Sequence, residues 1–531
     1  MSLPFFRFRL LRGFLLAGVL LASRPGAAQD VTLTGLDASV YRGFKTVEGQ
    51  VYYMLRQGST YDLFQLEIYG RDLQKKASTE VRLGRNWNLQ ATRIVGDFTY
   101  FYFFTGKEGL LLKLDASGKQ VQEARFPGTG DNFGLAAMEP AGGGDFYITY
   151  PIDPGKLGFV VARYGSDLTA KRWQKEYLPE KGKYNVHQFQ ADAAHAYAVM
   201  DNTKASYEVV CLDGTTGNET SRKELLGMGA PNLLVPSLAS LDKAGHLLLA
   251  GYYGNVPKSV LSAPVKVENA TPTDGYFVLS MAPDGTPDYL SRLGFAAELA
   301  GKLNTHSTIQ PYTVNDYPGL KLHALLPRPG GGYALVGETY KMFFFTDPLY
   351  SAAGGTRAPG PGGAAGPGPP RRDVLDFVVL NLTAQGKLEA VRRIPKPYKV
   401  YEDRSAGPVP REFTDKLVYA YRFLYQPDPA QLPQVVFLNW HQNLLYVNTL
   451  KPATDARDNI FTRRYLGQPA VPAGPDRGEM TTLSFAPTFQ TPPGELFYDE
   501  VLPHAPGKFV YAHFDPAKSA LHLQVLDVPV E

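Results

Sequence analysis

The chain has 531 residues, and 54 Lys and Arg against 51 Asp and Glu leave a formal net charge of +3. A near-neutral chain lacks the dense basic surface that phosphate neutralisation needs, which argues against nucleic acid as a partner. A single cysteine, Cys211, excludes an intramolecular disulfide and a cysteine metal site. Stability must therefore come from buried area, which a chain of this length can supply.

The N-terminus has the pattern of a secretory signal peptide. Three Arg precede the short apolar run Gly13–Ala22, and small residues lead to a cleavage site near Ala28–Gln29. The run is too short to span a bilayer comfortably, although a retained anchor is the alternative. Removal of residues 1–28 takes away four Arg and no acid, so the net charge changes from +3 to −1. We therefore predict an exported protein, periplasmic or secreted, with no membrane insertion after cleavage.

An internal repeat dominates the rest of the chain. The phrase Leu112-Lys-Leu-Asp-Ala-Ser-Gly-Lys119 predicts a strand, a tight turn and a second strand. Further copies lie at Phe159–Leu178, Tyr207–Leu226, Tyr276–Leu293 and Phe377–Ile394, with a looser one at Leu63–Leu83. Two more extended segments precede each copy, which makes four strands in a unit of about 50 residues. That period indicates a β-propeller.

The predicted fold is all-β: a single propeller over 29–531 with eight four-stranded blades, or seven if one C-terminal unit is a decoration. The last unit stops after its third strand, and an unassigned strand precedes the first unit. We expect these to pair, so that the N-terminal strand closes the ring and removes a sheet edge.

The repeated Leu-Lys-Leu-Asp-Ala-Ser-Gly-Lys phrase resembles those of the secreted propeller proteins of Gram-negative bacteria. The motif is a generic hairpin, and no characterised family is matched. The WD-repeat signature, the sialidase box and the Trp-docking pattern of quinoprotein dehydrogenases are all missing from the sequence. The resemblance therefore implies a fold and assigns no functional residue.

Insertions interrupt the repeat in its second half. In the predicted blades they connect the second strand to the third, or the fourth strand to the next blade, and both kinds of connection lie on one face. The five insertions are 255–273, 295–319, 340–372, 396–414 and 467–481. Within them, 351–370 consists mainly of Gly, Pro and Ala and is predicted to be a disordered excursion. Since loops on a rigid scaffold commonly carry binding, we expect this face over blades 5–8 to carry the function.

Candidate ligand-binding residues are the aromatic, acidic and His side chains in or beside these loops. They are Tyr252, Tyr253, Glu338, Tyr340, Asp347, Asn439, Trp440 and His441. Aromatic residues at strand ends also serve packing, which is the competing interpretation. No metal site and no cofactor are predicted, because the nine His are scattered and neither a nucleophile elbow nor a dinucleotide fingerprint occurs.

The sequence favours an exported, non-catalytic propeller that binds a protein or glycan partner through this face. One alternative is a carbohydrate-active hydrolase or lyase with its site at the channel mouth on the same face, and whether the chain is an enzyme stays open. Another is a structural component of the envelope. The oligomeric state is not predicted.

Overall fold

The computed structural model describes residues 30–527, with short gaps between strands and longer ones at 255–274, 300–318, 344–370, 403–421, 450–481 and 485–498. The described residues form antiparallel sheets arranged like the blades of a propeller. Among them no helix has the length and apolar character that crossing a membrane would require. A π-helical turn, Phe295–Leu299, follows one of the sheets.

Strand β1 (Asp30–Thr34) is followed by four sheets that each take four consecutive strands. Sheet 1 comprises β2 (Tyr41–Val47), β3 (Val51–Gln57), β4 (Leu63–Tyr69) and β5 (Lys75–Arg82). Sheet 2 comprises β6 (Asn88–Val95), β7 (Phe98–Phe104), β8 (Glu108–Leu114) and β9 (Gln120–Pro127). Sheet 3 comprises β10 (Ala137–Gly142), β11 (Asp145–Ile152), β12 (Gly158–Tyr164) and β13 (Lys171–Tyr177). Sheet 4 comprises β14 (Asn185–Ala191), β15 (His195–Asp201), β16 (Tyr207–Asp213) and β17 (Glu219–Glu224).

The second half of the chain continues the pattern with strands of more variable length. Sheet 5 comprises β18 (Leu233–Leu241), β19 (Leu247–Gly254), β20 (Gly275–Met281) and β21 (Pro287–Gly294). Sheet 6 comprises β22 (Gly319–Pro327), β23 (Tyr333–Phe343), β24 (Arg371–Leu382), β25 (Leu388–Ile394) and a fifth strand, β26 (Val400–Glu402). Sheet 7 comprises β27 (Arg422–Tyr425), β28 (Gln434–Asn439), β29 (Leu444–Thr449) and β30 (Thr482–Ser484). Sheet 8 comprises β31 (Asp499–Pro503), β32 (Lys508–Asp515), β33 (Ala520–Asp527) and β1.

The predicted all-β fold is confirmed, and the described residues contain eight sheets, the number predicted from the repeat. The expected pairing of the N-terminal strand is also present, because Asp30 pairs with Gln524 and Thr34 pairs with Ala520. Sheet 8 then packs against sheet 1, where Tyr52 donates a hydrogen bond to the carbonyl oxygen of Pro503 at 2.7 Å.

The core consists of apolar layers between neighbouring sheets. Aromatic and aliphatic side chains of sheets 1 and 2, 2 and 3, 3 and 4, and 4 to 6 pack together in this way, as do those of sheets 8 and 1. Burial of each Leu or Phe side chain stabilises the folded state by about 1.5–3 kcal/mol. Cys211 lies in one of these layers, where burial raises the pKa of its thiol, so it is placed as a small apolar residue.

Candidate functional site

One end of the sheets carries most of the insertions, and we call it the insertion face. It is the end at which a second strand leads to a third and a fourth strand leads to the next sheet. In sheets 1–4 the connections from second to third strand are short: 58–62, 105–107, 153–157 and 202–206. In sheets 5 and 6 they are 255–274 and 344–370. The connections from fourth strand to next sheet, 295–318 and 395–421, lengthen at the same place.

One predicted insertion belongs to the other end. Residues 467–481 were expected to connect sheet 7 to sheet 8. They precede β30, which pairs with β29 through Leu444 and Ser484. The insertion therefore lies between the third and fourth strands of sheet 7, and its assignment to the insertion face is wrong. The repeat was misread because β30 is only a three-residue strand, and the long connection 450–481 separates it from β29.

Sheet 6 extends beyond its neighbours at the insertion face. Tyr340–Phe343 pairs with Arg371–Val374, past the point at which the other second strands end. The short strand β26, which lies inside the predicted insertion 396–414, then pairs with β24 through Arg372 and Glu402. Part of two predicted insertions is thus regular β-structure.

Three neighbouring sheets share a backbone irregularity below the insertion face. In sheets 4, 5 and 6 the pairing of the first and second strands shifts by one residue, which leaves His187, Ser237 and His323 as bulged residues. Sheet 2 has the same shift at Gln90. A β-bulge bends its strand and redirects side chains. In each of the three sheets, the first-strand residue two positions before the bulge pairs with a residue of the second strand. That second-strand residue is Asp201 in sheet 4, Tyr252 in sheet 5 and Glu338 in sheet 6.

Tyr252 uses this position to tie sheet 5 to sheet 6. Its hydroxyl donates to the carbonyl oxygen of Leu320 at 2.9 Å and accepts from the backbone N–H of Leu322 at 3.2 Å. Both backbone groups belong to β22, so one hydroxyl bonds them as a neighbouring strand would. The side chain is only 6% exposed. The structure thus gives Tyr252 a packing and anchoring contact, while a ligand contact at this residue stays a prediction.

Glu338 uses the equivalent position for a contact within sheet 6. Its Oε2 lies 2.7 Å from Nε2 of the bulged His323, and the two side chains are 2% and 1% exposed. A carboxylate and an imidazole enclosed together stabilise each other, whereas either one alone would be costly to bury. The pair fixes the bulge of β22 against β23, two residues before the extension that begins at Tyr340.

Sheet 4 has a looser version of the same pair. Asp201 Oδ2 lies 3.5 Å from Nε2 of the bulged His187, at the limit of a hydrogen bond. Asn185 donates to Asp201 from its backbone N at 2.8 Å and from its side chain at 3.2 Å. Burial works to raise the pKa of the Asp201 carboxyl, but the nearby His187 ring and the hydrogen bonds from Asn185 outweigh it and the net shift is downward.

Tyr253 faces the opposite way from Tyr252, because side chains alternate along a strand. It is half-buried, and the guanidinium of Arg292 lies 5.9 Å from its ring centre. Its ring covers Gly275, since a Cβ on that glycine would be 2.7 Å from Tyr253 Cε1. The ring and the guanidinium place aromatic and cationic groups together at the insertion face.

The other predicted site residues are described only in part. Tyr340 and Asn439 lie in β23 and β28, and their side chains are outside the described part of the chain. Asp347, Trp440 and His441 lie wholly outside it. The sequence interpretation did not single out His187, Asp201 or His323. An alignment of the sheets on their bulges identifies them, because each acid pairs with the residue two positions before a bulged His.

Within the described residues, no group of three or more His, Cys, Asp or Glu side chains is close enough to hold a metal ion. Among the described residues, the chemistry at this end of the sheets consists of the buried His323–Glu338 pair, the partly buried His187–Asp201 pair, the Tyr252 hydroxyl between them, and the Tyr253–Arg292 contact. The first three hold strands in position, and Tyr253 with Arg292 lies nearer the surface.

No protein-family model matches the chain, and no curated protein matches it. Among solved structures it is similar to polysaccharide lyase Uly1, at 10% identity over 94% of this chain and 99% of that one, with a TM-score of 0.41. It is also similar to quinohemoprotein alcohol dehydrogenase from Comamonas testosteroni, at 10% identity over 94% and 78%, with a TM-score of 0.40. The WD40 domain of SCAP from fission yeast gives 8% identity over 94% and 98%, with a TM-score of 0.38. With identities and TM-scores this low, the similarities carry no functional argument, and the chain is a propeller protein of no shown family.

Proposed function

We propose that the protein is an exported propeller that binds a protein or glycan partner through the insertion face over sheets 5 to 7, and that it does so without catalysis. The observation that carries the proposal is the change in connection length between sheets 4 and 5. Four insertions leave the same end of adjacent sheets there, whereas sheets 1–4 keep short connections at that end. Long loops gathered on one side of a rigid scaffold are the usual location of binding residues.

The described side chains support binding more than catalysis. Catalysis by a His–carboxylate pair requires that substrate reach it, but the side chains of His323 and Glu338 are enclosed by protein. Tyr253 and Arg292 are half-buried and combine an aromatic ring with a cation. Among described residues only Val121 and Leu178 are large apolar side chains with high exposure, and neither lies in sheets 5–8. A partner that recognises the described surface would therefore meet polar and aromatic groups.

The test is a loop exchange with a matched control. In one variant, 255–274 is replaced by the short connection 202–206 of sheet 4, which joins the equivalent strands. In the control, the connection 450–481 of sheet 7 is shortened at the opposite end. Both variants and the mature wild-type protein are tested against a glycan array and an immobilised envelope-protein fraction. We expect the first variant to lose the bound signal and the control to keep it; loss only in the control would contradict the proposal.

Export is the second part of the proposal. Removal of residues 1–28 would leave β1 intact, because β1 begins at Asp30 and pairs with β33. The expected mature N-terminus is near Gln29. Mass spectrometry of protein expressed with its full N-terminus in a Gram-negative host, after fractionation, tests this directly. Intact protein that keeps residues 1–28 in the cytoplasmic fraction would contradict export.

A further inference from the structure

Two of the insertions begin next to the two buried anchors. Residues 255–274 start three positions after Tyr252, and the extension of β23 starts two positions after Glu338. Tyr252 belongs to sheet 5 and Glu338 to sheet 6, but both contact β22. The strand ends that carry the two insertions therefore meet at one strand.

The contacts form a continuous series through β22. The Tyr252 hydroxyl bonds the carbonyl of Leu320 and the N–H of Leu322, and the next residue is the bulged His323. His323 then bonds Glu338 on β23 at 2.7 Å. Every side chain in the series is buried, so solvent does not weaken its hydrogen bonds, and loss of one leaves its partner poorly satisfied.

We infer that Tyr252 is a positioning residue that couples the end of β19 in sheet 5 to the end of β23 in sheet 6, through the β22 bulge and the His323–Glu338 pair. Displacement of Tyr252 would release Leu322, which lets the bulge at His323 relax and moves His323 relative to Glu338. The role of Tyr252 in binding rests on the proposed function. The coupling itself is a property of the fold. It exists whether or not the insertion face has a partner.

Amide hydrogen exchange of the mature protein without ligand tests the coupling. Tyr252→Phe keeps the ring and removes only the hydroxyl. We expect exchange to accelerate roughly five- to tenfold at 319–325 and also at 338–343, because the loss of one buried hydrogen bond opens the series locally. The matched control is Tyr197→Phe, which removes a hydroxyl that ties sheet 4 to Gly245 of sheet 5 at the opposite end. It should leave both segments at the wild-type rate.

A double-mutant cycle with Glu338→Gln tests whether the two anchors act together. Coupled anchors give an effect of the double variant on exchange at 338–343 that differs from the product of the two single effects. The inference is overturned if Tyr252→Phe accelerates 319–325 alone or neither segment, if all strands accelerate equally, or if the effects multiply independently. None of these results bears on binding. Conversely, coupling found without any bound signal in the loop exchange would contradict only the proposed function.

Discussion

Trp173 of sheet 3 donates a hydrogen bond from Nε1 to the carbonyl oxygen of Gly214 in sheet 4, at 2.8 Å. Gly214 begins the turn between the third and fourth strands of sheet 4, at the end opposite to the insertion face. The same oxygen accepts from Arg163 at 2.7 Å. A turn thus ties sheets 3 and 4 together at one end, and Tyr252 ties sheets 5 and 6 together at the other.

Trp173→Phe should destabilise the protein modestly. The variant removes one hydrogen bond to Gly214 while Arg163 still satisfies the oxygen, so we expect a loss of about 1 kcal/mol in the free energy of unfolding. Trp173→Ala also removes the ring that packs on Gly217 and should cost more, about 2–3 kcal/mol for the half-buried side chain. Urea unfolding measures both, and equal losses would show that the hydrogen bond carries the whole effect.

Gly118→Ala should lower the free energy of unfolding more than Gly96→Ala does. Both glycines have positive φ, +81° and +59°, so both variants carry backbone strain. A Cβ at Gly118 would lie 2.8 Å from Cγ2 of Ile68 in the preceding sheet, whereas Gly96 has open space around it. We expect Gly118→Ala to lose a further 1–2 kcal/mol, approximately, from overpacking. Equal losses in thermal unfolding would mean that the turn does not press on sheet 1.

Glu338→Ala should be severely destabilising. It leaves the buried His323 without its carboxylate partner, and breaking a buried pair in this way costs about 3–5 kcal/mol. Glu338→Gln keeps a hydrogen-bonding side chain of the same size and should lose less. Chemical denaturation of the two variants gives the comparison. A loss below 1 kcal/mol, roughly the value of an exposed pair, would contradict the anchoring role.

Asp201 should make stability depend on acid pH. Its pKa is lowered in the folded protein from an ordinary value of 3.8, so the unfolded chain binds the proton more readily. The stabilisation is fully present above pH 3.8 and is lost as the pH falls through the lower folded pKa. Asp201→Asn should therefore be less stable than wild type near neutral pH, and this difference should shrink below pH 3.8. Urea unfolding from pH 6 to pH 3 tests the trend; a constant difference would contradict it.

Local signals predicted most of the fold. The Asp-Ala-Ser-Gly turn at Asp115 and its copies specify tight hairpins through residues that tolerate or favour positive φ, as Gly118 does. Alternating apolar residues define the flanking strands, and the unpaired strand before the first unit implied its partner, β33. The position of β30 was missed because a three-residue strand separated from β29 by the long connection 450–481 gives no pattern to follow.

The repeat, the strands and the end from which most of the insertions leave follow from the sequence itself, because turn residues and a period of two act locally. The roles of individual side chains were decided by tertiary structure. Tyr252 and Tyr253 are adjacent and chemically alike, but strand alternation sends one hydroxyl into β22 and leaves the other ring beside Arg292. Glu338 resembled a loop acid until the bulge at His323 brought an imidazole against it. Such pairings join residues of different strands, so no local pattern specifies them.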